Sequence, residues 1–416
     1  MINNLKEKAV RALRWSEQYT KTDMVYLAKG GWWLTIGEII TIIAGVLLSI
    51  AFANLLPKET YGTYKFVISI AGIVSAFTLS GMGHAVTRAT AKGYEGSLRK
   101  GFKSMLVWSL GIVIIGLGLS GYYFFQQNNL LGISMILIAF SYPLIQSSRL
   151  YINFLTGIKN FKYKSFYLII WEITQLAVVG ATLFLTDDLL IILSIFFAIN
   201  TVLSFSLYLF TLKKFKPNRR TTSETISYGK HLSIINIINT VAKHIDKVLI
   251  FHFLGAVELA VYSFAVLPIQ KLDNIKGIIG NLALPKFSKT SISTLKKTLT
   301  KKAFILFGLS VFSTVILIAV LPNIFKLIFP QYMESVIYAQ VFSVSILAFP
   351  GILFAQALRG HAKKKELYKS DITANVLKII GLLILLPMYG IWGAIFILTG
   401  EVIIRALLYA GLFYWS

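Results

Sequence analysis

Apolar runs of roughly 20 residues alternate with short polar gaps along the whole chain, and the gaps are basic and neutral in turn. A helix needs about 20 apolar residues to cross a bilayer. Loops retained on the cytoplasmic side collect Lys and Arg. Of the 41 Lys and Arg residues, 31 fall on one side, three (Lys58, Lys65 and Lys326) on the other, and seven inside the spans. This pattern predicts an all-α integral membrane protein with twelve transmembrane helices and both termini in the cytoplasm.

Composition agrees. At 56% hydrophobic and 14% charged residues a soluble fold is excluded. The net charge of +24 would suggest nucleic acid in a soluble chain; here its position makes it a topology signal, with added attraction to anionic membrane lipids. No nucleic-acid partner is expected. The absence of Cys rules out disulfides and Cys-bound metal. Leu5, Ala9, Leu13 and Trp15, mixed with Lys6, Lys8, Arg11 and Arg14, suit a short helix on the inner leaflet.

The spans are predicted near 31–53, 64–83, 103–125, 131–153, 166–186, 189–212, 232–253, 258–283, 303–325, 335–358, 372–387 and 391–413. The two halves repeat one another. LLPKETYGTYKF and FLGAVELAVYSF align at a shift of 198 residues, pairing Leu56 with Leu254, Tyr64 with Tyr262 and Phe66 with Phe264. The predicted organisation is a six-helix lobe over residues 1–212, a basic linker over 213–230 and a second six-helix lobe over 231–416. Repeated lobes with a binding site between them are the pattern of secondary transporters.

Three stretches carry a family resemblance. LLPKETYGTYKFVISIAGIVSAFTLSGMGHAVTR (55–88) is similar to the first hairpin of the Wzx-type polysaccharide flippases of the multidrug/oligosaccharidyl-lipid/polysaccharide exporter superfamily, through Pro57, Glu59, Tyr61, Gly62, Gly81, Gly83 and Arg88. IDKVLIFHFLGAVELAVYSFA (245–265) resembles the family's seventh helix and the turn after it. Tyr389, Gly390, Ile391, Gly393 and Ala394 match the entry to its last helix. The resemblance implies a flippase moving undecaprenyl-diphosphate-linked oligosaccharide across the cytoplasmic (inner) membrane for surface polysaccharide such as O-antigen. A polymerase and a chain-length regulator are the partners it implies. The peptidoglycan-precursor flippases of the superfamily differ by two further C-terminal helices.

Ionisable residues at bilayer depth cost roughly 2.5–3.5 kcal/mol on insertion scales, so they face a partner or a wet cavity. Span seven holds Lys243, Asp246 and Lys247, close to one helical face. Span eight adds Lys271, Asp273 and Lys276, span four Arg149, and span twelve Glu401 and Arg405. Lys243, Lys247, Lys271, Arg149 and Arg405 are the candidates to offset a lipid diphosphate, since both cation types ligate phosphate. Glu401 with Arg405 also reads as an intrahelix pair, Asp246 as the partner of Lys243, and Arg149 and Lys378 as side chains reaching the inner headgroups. No cofactor is expected beyond a Na+ or H+ gradient. By resemblance, Asp246 and Asn375 sit where a sodium ion can be held; a proton would instead use Glu38, Glu172, Asp246 or Glu401. The residues do not choose between the two. His84, His244 and His252 are scattered and read as packed or interfacial.

No catalytic motif stands at a plausible position, so an enzyme is not expected. A membrane-embedded polymerase or ligase would carry a long outer loop with catalytic residues. A drug or cation antiporter of the same superfamily would favour a net negative cavity. Sugar-binding side chains such as Trp32, Trp33, Tyr142, Gln146 and Gln175 cannot be told from packing.

Overall fold

The computed structural model describes residues 24–415, and of residues 24–30, 235, 273–286 and 289 the backbone alone. The amphipathic N-terminal tail and the side chains of Asp273 and Lys276 lie outside the described residues.

Twelve helical crossings follow one another, and no strand occurs among the described residues. Numbered in chain order, spans one and two are Met24–Leu55 and Lys58–Val74, the latter continued by Met82–Ala91. Span three is Ser97–Trp108 with Leu110–Phe125, span four Asn129–Ser148 with Leu150–Gly157, span five Phe161–Leu185 and span six Leu189–Phe215. Spans seven to nine are Glu224–Leu254, Ala256–Lys289 and Ile292–Ile328. Span ten is Ser335–Ser343 with Gly351–Gly360, span eleven Lys364–Tyr389 and span twelve Ile391–Trp415. The fold is thus an all-α integral membrane protein, its twelve transmembrane helices arranged as two six-helix lobes. Large apolar side chains cover its outside, Ile114 being 73% and Phe304 72% exposed. Lipid replaces water around such residues, so they need no cover.

The short turns that join spans on the Lys-poor side, called here the neutral face, are built from specific residues. Pro57 precedes the first turn of span two, where its missing N–H costs nothing. The Asp188 carboxylate accepts from Leu190 N and Ile191 N at 2.8 and 3.2 Å and starts span six. Gly255 and Gly390 end spans seven and eleven at φ 98° and 58°, which side chains resist.

The linker is shorter than its charge pattern predicts. Span six runs on to Phe215 and span seven starts at Glu224, leaving residues 216–223. This strap is fastened to the first lobe. Gly96 N donates to Arg220 O at 3.0 Å, Arg99 Nη1 to Pro217 O at 3.0 Å, and Asn218 N to Glu95 Oε2 at 3.0 Å.

The buried apolar residues divide unevenly between the two faces. At the neutral face one core joins both lobes, with Phe52, Tyr61 and Tyr64 of the first packed with Phe264, Phe329 and Tyr332 of the second. Toward the basic face two further cores form, one around Met82, Leu98 and Phe154 that also takes in Ile226 and Tyr228 of span seven, the other around Phe287, Leu299 and Phe413. The repeated positions Tyr64, Tyr262, Phe66 and Phe264 all lie in the shared core.

Candidate functional site

Span two is the line along which the lobes meet. Its glycines let backbone approach backbone. A Cβ on Gly62 would lie 1.8 Å from Ala256 O of span eight, one on Gly72 would lie 2.6 Å from the His244 ring, and one on Gly81 would lie 2.5 Å from Leu232 Cβ. Gly81 N donates to Ser233 Oγ at 2.9 Å, and Phe66 stacks on Phe251 with centroids 3.9 Å apart. At the neutral face the contact is closed by Tyr61 against Phe264, by the Lys58–Glu334 ion pair, and by Asn54 Nδ2 donating to Ile328 O at 3.0 Å.

Below this seal, charges from both lobes converge. Lys65, assigned to the outer surface by the charge pattern, is inside the membrane instead. Pro57 starts the helix at Lys58, which puts Lys65 two turns in, with its ammonium 5.1 Å from the Tyr61 ring centroid. Lys271 of span eight interacts electrostatically with Lys65 and with Glu172 of span five. Glu172 interacts in turn with Arg149 and Glu38. The Lys271 ammonium lies against span one, where a Cβ on Gly45 would be 2.7 Å away. Among the described residues, neither Lys65 nor Lys271 is held in an ion pair. The structure therefore brings together Arg149, Lys271, Glu38 and Glu172 of the predicted set and adds Lys65.

Lys243 and Lys247 sit differently. Lys247 lies on span seven between His244 and Phe251, both of which touch span two. Lys243 is exposed. Asp246 is 2% exposed and is not the partner of Lys243. Its carboxylate turns into the second lobe, where Tyr262 Oη donates to Oδ2 at 2.5 Å and Lys247 Nζ lies at 3.7 Å. Lys378 interacts with it electrostatically. Lys378 does not reach the headgroups; it is buried and donates to Ala242 O at 2.7 Å. Arg149 does not snorkel either, because its guanidinium stacks on Trp171 at 4.7 Å.

Arg405 lies apart from the central charges. Nε donates to Glu401 at 2.7 Å, Nη1 to Asp371 at 3.0 Å and Nη2 to Asn375 Oδ1 at 2.8 Å. Tyr409 Oη also donates to Asp371, at 2.5 Å. A guanidinium with its fork filled by two carboxylates and an amide has few donors left for a substrate. Arg405 thus holds spans eleven and twelve together, and the intrahelix pairing with Glu401 is part of that network. Asn375 is occupied at both ends, since its Nδ2 donates to Asn239 Oδ1 at 2.6 Å. Lys378 stands one turn on from Asn375, between it and Asp246, so these two predicted ion ligands do not form one shell.

The sequence reading placed Lys65 on the outer side and Lys378 at the headgroups, gave Tyr262 only a repeat position, and missed Asp371 and the glycine seam. For Lys65 the signal was present: Pro57 followed by Glu59 marks a helix start.

The two lobes share one sealed core at the neutral face and bring charges from both sides together below it, an arrangement that suits a membrane transporter. Residues 27–291 match the family model described as polysaccharide biosynthesis protein, and the chain belongs to that family. Solved structures share the fold at low identity. The lipid II flippase MurJ in an inward closed conformation matches with a TM-score of 0.64 at 14% identity, over 92% of this chain and 87% of that one. A eukaryotic MATE transporter matches at 0.62 and 13%, over 94% of each chain. A superfamily transporter from Pyrococcus furiosus, described by the reverse polarity of its binding pocket, matches at 0.56 and 14%, over 93% and 94%. No curated protein matches the chain.

Proposed function

We propose that the chain moves undecaprenyl-diphosphate-linked oligosaccharide across the cytoplasmic membrane by alternating access. The observation that supports this is the placement of Lys65 and Lys271, two ammonium groups from opposite lobes, at membrane depth, one against the Tyr61 ring and the other against Gly45, with neither in an ion pair among the described residues. Like charges repel more strongly in a low dielectric. An anion between them turns that cost into attraction, and a diphosphate has charge enough for both. Lys243 and Lys247 extend the positive field along span seven.

The test is reconstitution in vesicles with a fluorescent lipid-diphosphate saccharide. Lys65→Ala and Lys271→Ala should each slow translocation by about tenfold or more, the value of one lost charge-assisted contact. Lys→Arg at either position should retain part of the rate, because charge is kept while head shape and hydration change. Wild-type rates in both Ala variants would sink the reading.

A second reading, an ion-coupled antiporter for organic cations, is favoured by one observation: Glu38 and Glu172 interact with each other beside the same cations. It predicts gradient-driven efflux of a cationic dye from the same vesicles. A Na+ or H+ gradient would supply energy in either case. The polymerase and chain-length regulator belong to the polysaccharide reading alone.

Orientation follows from the basic loops. Single Cys residues at Asp187 or Met388, both exposed on the neutral face, should react with an impermeant thiol reagent in intact cells. Cys at Thr294 or Lys364 should react only after permeabilisation. The opposite labelling would invert the topology.

A further inference from the structure

Two helix interruptions in the first lobe face one pocket. Span two bends by 56° between Lys58–Phe77 and Met82–Ala91, with Leu79 at φ 59° in the break. Span four is interrupted at Arg149. Irregular backbone at membrane depth is tolerated only within protein or along a wet cavity. Here it borders a cavity of about 240 Å³, lined among others by Ser75, Thr78, Ser80, Gln146, Arg149 and Asn153.

The chemistry of this lining is uneven in a useful way. It offers hydroxyls and amides, one cation and no carboxylate. The hydroxyls of Ser75 and Thr78 donate to backbone carbonyls at 2.6 and 2.7 Å, which leaves their lone pairs as acceptors. Ser80 Oγ is buried without a hydrogen-bond partner among the described residues. The Asn153 amide presses on Gly83, where a Cβ would come within 2.8 Å of Nδ2. Arg149 sets its guanidinium over the Trp171 ring with Glu172 within electrostatic reach, and no ion pair fills its donors among the described residues, which leaves them for a planar acceptor. The volume is below the roughly 300–1,000 Å³ of drug-sized sites, so it suits one sugar ring.

We propose that this pocket is a saccharide subsite for one acidic sugar residue, with its carboxylate on the Arg149 fork and its hydroxyls on Ser75, Thr78, Ser80 and Asn153. The subsite rests on the transport reading above and divides its labour. Lys65 and Lys271 take the diphosphate, whose charge calls for two cations, and the single planar guanidinium takes a single planar carboxylate.

The test uses full-length protein in vesicles and two synthetic carriers, one bearing a glucuronate-containing unit and the other the same unit with glucose in that place. Wild type should favour the acidic carrier. Arg149→Gln should lower the acidic-to-neutral rate ratio by roughly 10- to 100-fold, the range for a hydrogen bond to a charged group. Arg149→Lys should fall between the two. Equal slowing of both carriers would assign Arg149 to the diphosphate and overturn the subsite while the transport reading stands. Translocation of neither carrier by wild type would overturn both. Should Arg149→Gln fail to fold, the purified wild type decides. Sodium glucuronate should raise its thermal midpoint above that in equal sodium chloride, and glucose should not. No difference between the salts overturns the proposal.

Discussion

Asp246→Ala is expected to destabilise the second lobe by about 3–5 kcal/mol, the cost of removing one partner of a buried charge pair. The carboxylate is 2% exposed and answers three groups: Tyr262 Oη at 2.5 Å, Lys247 Nζ at 3.7 Å, and Lys378 electrostatically. Removing it leaves two ammonium groups and a phenol facing each other in a low dielectric. The measurement is the thermal midpoint and the yield of monodisperse protein in detergent. Adding Lys378→Met to Asp246→Ala should recover part of both, because it removes one of the stranded charges. Asp246→Asn should be milder, since the amide still accepts from Tyr262. A single Ala variant that melts with the wild type would show that these charges are hydrated rather than buried.

The same cluster bears on energy coupling. Lys378 already places a cation beside Asp246, and Arg405 already occupies the Asn375 oxygen. A sodium ion would need at least one of these oxygens from a rearranged lobe. A proton would meet the same competition, because Lys247 and Lys378 both place positive charge beside the carboxylate.

The span order was legible because membrane helices write their length and orientation into local composition. Gly390 was legible by resemblance, as part of the entry to the last helix, and its φ of 58° ends span eleven there. Partners were less legible. On the helical face the i,i+3 spacing offers Asp246 to Lys243; span eight decides otherwise, by presenting Tyr262 to the side where Lys247 stands. Glu401 with Arg405 could be read from their i,i+4 spacing, but Asp371 joins them from span eleven, where nothing local points to span twelve. Lys65 was misplaced because a charge near a span end was counted as a loop residue. Gln146 and Arg149 were named as candidates, yet their pocket depends on an interruption in span two that no residue pattern locates.

The largest conformational effect is expected at Gly62. A Cβ there would lie 1.8 Å from Ala256 O and 2.5 Å from Ala256 C. Both are backbone atoms, so no rotamer change can relieve the clash. Restoring ordinary contact, at 3.4 Å or more, moves spans two and eight apart by about 1.6 Å at their neutral-face ends. Each lobe can stay folded, because the clash lies between them. The shared aromatic core and the Lys58–Glu334 pair should give way. Interfaces of packed side chains switch between discrete arrangements more readily than they stretch, so Gly62→Val should shift the protein toward a state open at the neutral face. The chain has no native Cys, which makes Lys58→Cys with Glu334→Cys a clean reporter across the seal. A bifunctional thiol reagent should link this pair readily in the parent and at least about tenfold more slowly with Gly62→Val, the ratio that about 1.4 kcal/mol of population shift produces. Translocation should fall with it, since alternating access requires the seal to re-form. Unchanged cross-linking would mean that span two yields locally, and the line of glycines would then be a packing seam with no part in closing the lobes.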